Sequence, residues 1–240
     1  YAGWTPLPDL RLAWRLRDDT LLWAAASRAI RSPTPWDHDV IETVPGVVTL
    51  TGNPQFRTEK VNAFEIGYRA QPSEELSFSA SIFYNLVDDL RTGVLRSSPP
   101  GQLVLQWDNQ MRGETWGFEA WGKWQATGWW RLSPGLRLLR KSLEYKPGAS
   151  ALVGTQEAGD DPDHQWLLTS SMDITDNLSF DATLRHVGAL PSPGLDSYEE
   201  FSASLNQRIG RHLDVSLSGL NLLHDEHQEY PDADFLPRRV

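Results

Sequence analysis

The chain of 240 residues contains no cysteine, so no disulfide framework can hold it together, and cysteine usage leaves its compartment open. It is also short of positive charge. The 22 Lys and Arg against 32 Asp and Glu give a formal charge of -10, and no basic stripe supplies the clustered cations that phosphate contacts need, which argues against nucleic acid as a partner. No apolar run approaches the roughly 20 residues of a membrane helix, and the mean hydropathy is -0.44. Strands remain open as a way across a membrane. A barrel strand meets lipid only at every second residue and keeps the average hydropathy of a soluble protein. The opening Tyr1-Ala2-Gly3-Trp4 lacks the basic, apolar and small-residue zones of a secretory signal, so the expectation is a processed chain or an internal piece of a longer one. Neither G-x-S-x-G nor the complete phosphate-loop motif G-x-x-x-x-G-K-S/T occurs, and the expectation is a protein that is not an enzyme and has no cofactor.

What the chain does have is alternation. Over residues 76–86, Leu76, Phe78, Ala80, Ile82, Tyr84 and Leu86 share one parity, and Ser77, Ser79, Ser81, Phe83 and Asn85 share the other. Successive side chains of a strand point to opposite faces, so this segment has one greasy face and one mostly polar face. Residues 61–70 repeat the arrangement, with Phe64, Ile66 and Tyr68 against Glu65, Gly67 and Arg69, and Gln71-Pro72-Ser73-Glu74-Glu75 forms a polar turn between the two. Each strand is about 10 residues long, which suits a tilted crossing of a bilayer. Residues 9–17 place Leu10, Leu12, Trp14 and Leu16 opposite Arg11, Ala13, Arg15 and Arg17. A one-residue slip would turn three arginines toward hydrocarbon at about 2–4 kcal/mol each near the midplane, so the register is fixed.

Further strands are predicted over 20–30, 115–126, 129–139, 165–174, 178–187, 198–209 and 213–223, with a short one over 103–107. In residues 20–30, Leu21, Trp23 and Ala25 oppose Leu22, Ala24, Ala26 and Arg28. Segments 31–60, 91–102 and 141–163 are rich in Pro, Gly or charge and read as long loops. Connections then alternate, short near 18, 71, 127, 175 and 210, and long or moderate near 31, 91, 141, 188 and 224. An antiparallel meander through a membrane has this asymmetry, whereas both ends of a soluble sandwich face the same water. Eight of the 11 Trp, at 14, 23, 107, 116, 124, 129, 130 and 166, lie on or beside these strands and suggest the aromatic girdles of a barrel.

Several stretches resemble the TonB-dependent outer-membrane receptors: Asn53-Pro54-x-Phe56-Arg57-x-Glu59, then Glu65-Ile66-Gly67-Tyr68, Phe83-Tyr84-Asn85 and Asp89-Leu90. The tail Ser27-Arg28-Ala29-Ile30-Arg31-Ser32-Pro33, Asn109 followed by Gly117-Phe118-Glu119, and Asn221-Leu222-Leu223-x-Asp225 with Glu229-Tyr230 are similar to motifs of the same family. The resemblance runs from Asp9 to Val240 and implies an all-β, antiparallel up-and-down transmembrane β-barrel. The chain would be the C-terminal portion, about 11 strands of 22, with residues 235–240 opening the last strand and the plug domain and earlier strands lying outside it. It further implies the outer membrane of a Gram-negative bacterium, contact with outer-membrane lipid, uptake of a scarce small molecule (ferric siderophore, haem, cobalamin or glycan), and the TonB complex and plug domain as partners of the full-length protein.

Trp36, His38 and Asp39, in the first long loop, are candidate ligand contacts; His beside carboxylates is also a possible metal set, but no second cluster completes it. Asp160-Asp161-Pro162-Asp163-His164 has the oxygen density of a calcium site without its glycine-turned loop, and reads as a solvated charge run. His224-Asp225-Glu226-His227 reads as a loop tip within the last-hairpin motif. Arg11, Arg15, Arg28, Glu65, Arg69, Glu119, Lys123, Arg131, Asp181 and Arg185 are expected to face the lumen. Two other readings fit the strands: a complete barrel of about 12 strands acting as a pore or phospholipase-like enzyme, and a soluble β-sheet carbohydrate-binding domain using exposed Trp.

Overall fold

The computed structural model describes residues 4–45, 47–97, 101–192, 194–229 and 236–239. The chain runs β1 (Asp9–Arg17), β2 (Thr20–Arg31), α1 (Pro35–His38), β3 (Ile41–Val44), β4 (Val47–Thr51), β5 (Glu59–Ala70), β6 (Leu76–Ser97), β7 (Leu103–Thr127) and β8 (Trp130–Tyr145). It continues through β9 (Ala151–Val153), a 3-10 turn (Thr155–Gly159), β10 (His164–Thr175), β11 (Leu178–Val187), β12 (Tyr198–Ile209), β13 (Leu213–Gly219), β14 (Glu226–His227) and β15 (Leu236–Pro237). One antiparallel sheet follows the order β1-β2-β5-β6-β7-β8-β10-β11-β12-β13, with each long strand paired to the next. This is the arc of an up-and-down barrel. Beyond it, the backbones of Leu220 and Arg239 exchange hydrogen bonds of 2.8 and 3.1 Å, so the next strand begins beside the end of β13. The path thus holds ten long strands and the opening of another, against about 11 expected from the sequence.

The register carries the alternation across the whole arc. Leu12 opposes Ala24, Ala24 opposes Ile66, Ile66 opposes Ile82, Ile82 opposes Phe118 and Phe118 opposes Leu138. Farther along, Leu168, Leu184 and Phe201 stand in one row. Paired residues share a face, so one side of the sheet is a continuous apolar surface. Leu12, Ile66 and Ile82 remain 65%, 50% and 56% exposed, which means that nothing within the chain covers this surface.

Three expected loops are partly regular. Residues 31–60 contain α1 and the β3/β4 hairpin: Thr34 caps α1 by accepting from the Asp37 N–H, Asp37 reciprocates at the Thr34 N–H, and Pro35 opens the turn. Residues 91–97 are strand and not loop, because β6 runs 22 residues to Ser97, and the short strand expected at 103–107 is the start of β7, which runs 25 residues. The period breaks there because Asp89 has a φ of 59° and the register slips between Val87 and Leu90, the signature of a bulge. Its aftermath mimics a strand end. Residues 141–163 likewise begin with the last five residues of β8 and contain β9. The expected hairpin tip at residues 98–100, and residues 193, 230–235 and 240, lie outside the described residues.

The tight connections 18–19, 71–75, 128–129, 176–177 and 210–212 still fall at one end. At the other end sits the only densely buried part among the described residues. Phe56, Val94, Val104, Met111 and Leu50 pack there under α1, β3/β4 and β9, where Leu50 of β4 pairs in parallel with Leu105. Trp14, Trp124, Trp129 and Trp130 lie close to the tight turns, and Trp116 and Trp166 lie toward the loop end, giving two aromatic levels. Trp23 and Trp107 belong to neither. The Trp23 ring covers Gly67, where a Cβ would lie 2.2 Å from it, and Trp107 lies under the Arg91 guanidinium at 4.9 Å.

Candidate functional site

Two features meet at the loop end: a network of charges that ties the loop bases together, and a cavity beside α1. Arg31, the last residue of β2, places its guanidinium between two carboxylates. It donates to Glu59 (Nε to Oε2, 2.7 Å; Nη2 to Oε1, 2.8 Å) and to Asp37 (Nη1 to Oδ2, 2.8 Å). Glu59 also accepts the Arg91 N–H at 2.9 Å, and the Arg91 guanidinium lies 3.6 Å from Asp37. Asp37 is fully buried. Burial would by itself raise its carboxyl, but bonds from Arg31 and from the Thr34 backbone and hydroxyl outweigh it and hold the group down to about 2.

Asp89, placed by the bulge, accepts from Arg57 at 2.8 Å, Lys60 at 3.1 Å and Lys146 at 2.5 Å. Asn109 joins the two halves. Its Oδ1 accepts the Arg57 N–H at 2.6 Å, and its Nδ2 donates to the carbonyls of Arg57 (3.1 Å) and Asp89 (2.6 Å). The motif residues Phe56, Arg57, Glu59, Asp89 and Asn109, far apart in sequence, therefore converge on one cluster. Each carboxylate in it is matched by cations, so its work is to fix the bases of the loops.

Since the folded carboxyl of Asp37 titrates below its unfolded value of 3.8, its contribution is present above about pH 4 and is lost as pH falls toward about 2. Hydrogen exchange at residues 34–39, corrected for intrinsic rates, is expected to stay flat from pH 7 to 5 and to rise between pH 4 and 2. Asp37→Asn should remove that pH dependence; a rise that persists in the variant would assign it elsewhere.

The cavity, about 680 Å³, is lined by Thr5, Ile30, Ser32–Pro35, His38, Asp39 and Thr58. The structure brings His38 and Asp39 of the expected ligand set to it, while Trp36 stands 50% exposed on α1. The His38 Nε2 lies 3.3 Å from the Phe56 carbonyl, and the Asp39 N–H closes the helix on Pro35, so both residues also have local structural roles. The acidic stretch 160–164 is drawn to basic partners, Asp163 to Arg140 at 2.6 Å and Asp161 to Lys141. Asp225 of the last loop meets Arg238 at 3.1 Å.

Of the residues expected in the lumen, Arg11, Arg15, Glu65, Arg69, Glu119, Lys123, Arg131, Asp181 and Arg185 all lie on the polar face. Arg11 aligns with Ala25 and Glu65, and Arg15 with Leu21, Arg69, Ser79 and Trp121. Arg69 lies over the Trp121 ring at 5.7 Å, Glu119 lies 3.6 Å from Arg137, and Arg185 binds Glu200 at 2.6 Å. Arg28 is the exception. It opposes Asn62 on the face of Leu22, Ala24 and Ala26, with Nε donating to Asn62 Oδ1 at 2.8 Å. Both parities of β2 carry Leu and Ala, so charge alone pointed to the wrong side; near the loop end the apolar face has already turned polar. Arg91 and Lys146 were not legible as members of the charge network, since the bulge hid the period around Arg91 and Lys146 follows a strand expected to end seven residues earlier.

An antiparallel meander with one bare apolar face, one charged face, tight turns at one end and braced loops at the other defines a partial β-barrel of the receptor type. A family model described as TonB dependent receptor-like, beta-barrel, matches residues 1–222, and the chain belongs to that family. Among solved structures, it is similar to the siderophore receptor PirA from Pseudomonas aeruginosa (18% identity, TM-score 0.70, covering 97% of this chain and 40% of that one). It is also similar to the FrpB iron transporter from Neisseria meningitidis (16%, 0.72, 97% and 37%) and to the copper transporter OprC (19%, 0.68, 93% and 34%). The chain therefore spans about 40% or less of the length of these neighbours, and the likeness is one of fold. No curated protein matches the sequence.

Proposed function

We propose that residues 1–240 are the C-terminal part of the barrel domain of an outer-membrane transporter, energised through TonB in the full-length protein. In this reading the apolar face meets lipid, the charged face lines the lumen around a plug domain, and the loop end faces the exterior. The observation that carries it is the bare apolar face, which keeps its parity from strand to strand along the arc between the tight turns and the bulge, and which hydrocarbon would cover. The two tryptophan levels fit the two interfaces of a bilayer.

Among ferric siderophore, haem, cobalamin and glycan, a ferric siderophore is the first choice, supported by neighbours named for siderophores and iron. Trp36, with His38 and Asp39 at the cavity, is the ligand-contact candidate: an exposed indole on a braced helix can stack on a flat chelate at little entropic cost. Binding by the full-length protein across a panel of the four classes is expected to select one, and Trp36→Ala to weaken it about 10-fold. Uptake should stop in cells lacking TonB. Uptake that continues there would refute the transport reading, whereas unchanged affinity in the variant would refute only the contact.

A further inference from the structure

On the apolar face, toward the loop end of β10 and β11, stands a pair of histidines that the transport reading leaves unused. The Nε2 atoms of His164 and His186 lie 3.0 Å apart. The ring centroids are 5.0 Å apart and the planes differ by only 23°, so the two imidazoles meet edge to edge. Behind each ring is a carboxylate: Asp163 Oδ1 at the His164 Nδ1, and Glu199 Oε1 2.8 Å from the His186 Nδ1. Trp166 backs His186 from one side, with ring centroids 5.6 Å apart and planes 12° from parallel.

The arrangement is built, since the two histidines are not cross-strand partners. His186 opposes Trp166, and the His164 carbonyl accepts from the Gly188 N–H at 2.9 Å, so the rings meet along a diagonal. Gly188 permits this. A Cβ there would sit 3.0 Å from the His164 ring and press it off the diagonal. His186 is mostly buried, with 13% of its side chain exposed, whereas His164 at 44% can move.

Chemistry follows from the carboxylates. A carboxylate only accepts, so each Nδ1 must carry a proton and each Nε2 presents its lone pair. Arg140 donates to Asp163 Oδ2 at 2.6 Å, which leaves Oδ1 to accept from the His164 ring. Two lone pairs 3.0 Å apart repel unless one cation lies between them. A proton can do this, and so can a metal ion, which two carboxylate-backed imidazoles bind through their outer nitrogens.

We propose that His164 and His186 form a two-imidazole site for a divalent first-row transition metal ion, oriented from behind by Asp163 and Glu199. Bonds of about 2.0–2.1 Å to each Nε2 place the ion off the line joining the nitrogens, with the exposed His164 ring swinging to admit it. Among the described residues no third His, Cys, Asp or Glu converges on the pair, so water completes the coordination and the ion exchanges readily. Cu2+ should bind more tightly than Ni2+ or Zn2+. The site lies on the opposite side of the sheet from the charged face, and so apart from the proposed path of the transported ligand.

Titration of the full-length protein in detergent with Cu2+ and Zn2+, by calorimetry and by nitrogen hyperfine structure in the Cu2+ spectrum, tests this. The expected result is one equivalent that the His164→Ala/His186→Ala variant loses and that Glu199→Gln binds about 10-fold more weakly. Should the double variant fail to fold, peptide mapping of the wild-type protein after diethyl pyrocarbonate treatment reads the same question. Zn2+ should protect His164 and His186 together. Equal stoichiometry and affinity in wild type and double variant, or no protection by 1 mM Zn2+, would overturn the site and leave the pair bridged by a proton.

Discussion

Replacing Ile82 by lysine in the full-length protein is expected to lower its unfolding free energy in phospholipid vesicles by about 2–4 kcal/mol, the cost of a charge near the bilayer midplane. Ile82 lies in the part of β6 between the tight turn and the bulge at Asp89, flanked on its own face by Ile66 and Phe118. The adjacent Ser81 points the other way, into a row that holds Gly67 and Glu119. Ser81→Lys gains a carboxylate neighbour and should cost less than about 1 kcal/mol. Denaturant titration of the pair therefore compares two faces one residue apart. Equal costs would mean that the apolar face has no hydrocarbon against it.

The second large effect is expected at Asn109, which is 1% exposed and makes three hydrogen bonds to the backbone of Arg57 and Asp89. Asn109→Ala strands one N–H and two carbonyls in a buried place, at about 2–4 kcal/mol in total. Because the loss is local, it should show as faster hydrogen exchange at residues 53–58 by about 30- to 1,000-fold, with the tight-turn end unaffected. Asn109→Asp should be no better, since it removes both donors and sets a second negative charge against Asp89. Unchanged exchange in either variant would show that the loop bases are held by the ion pairs alone.

Strands were legible wherever one parity was apolar and the other polar, as in residues 9–17 and 76–86, because burial on one side imposes a period of two. Reading failed where that contrast vanished. In β2 both parities carry Leu and Ala, so the charge of Arg28 points to the lumen while its backbone parity puts it on the other face. At Asp88 and Asp89 a bulge shifts the parity, and the continuing strands β6 and β7 looked like a loop. Short elements such as α1 and β3/β4 owe their shape to capping and to contacts with the arc, which a window of alternation does not register.

The site was legible in a different sense. Motifs around Asn53, Glu59, Asp89 and Asn109 marked the right residues, yet only the fold shows that they form one braced cluster with Arg31 and Lys146. His164 and His186 lie 22 residues apart, across a turn. The hairpin register sets His164 beside Gly188 and one diagonal step from His186, a relation that a window of alternation does not register.

Residues 1–240 contain no cysteine, so no thiol within them competes with a label placed for the most direct test. Single cysteines at residues 78–85 of the full-length protein in lipid, each carrying a spin label, report contact with oxygen dissolved in hydrocarbon against a water-soluble relaxer. Labels at Phe78, Ala80, Ile82 and Tyr84 should favour oxygen, and those at Ser79, Ser81, Phe83 and Asn85 should not, in strict alternation. Accessibility that ignores parity, or that places hydrocarbon on the serine side, would contradict the account.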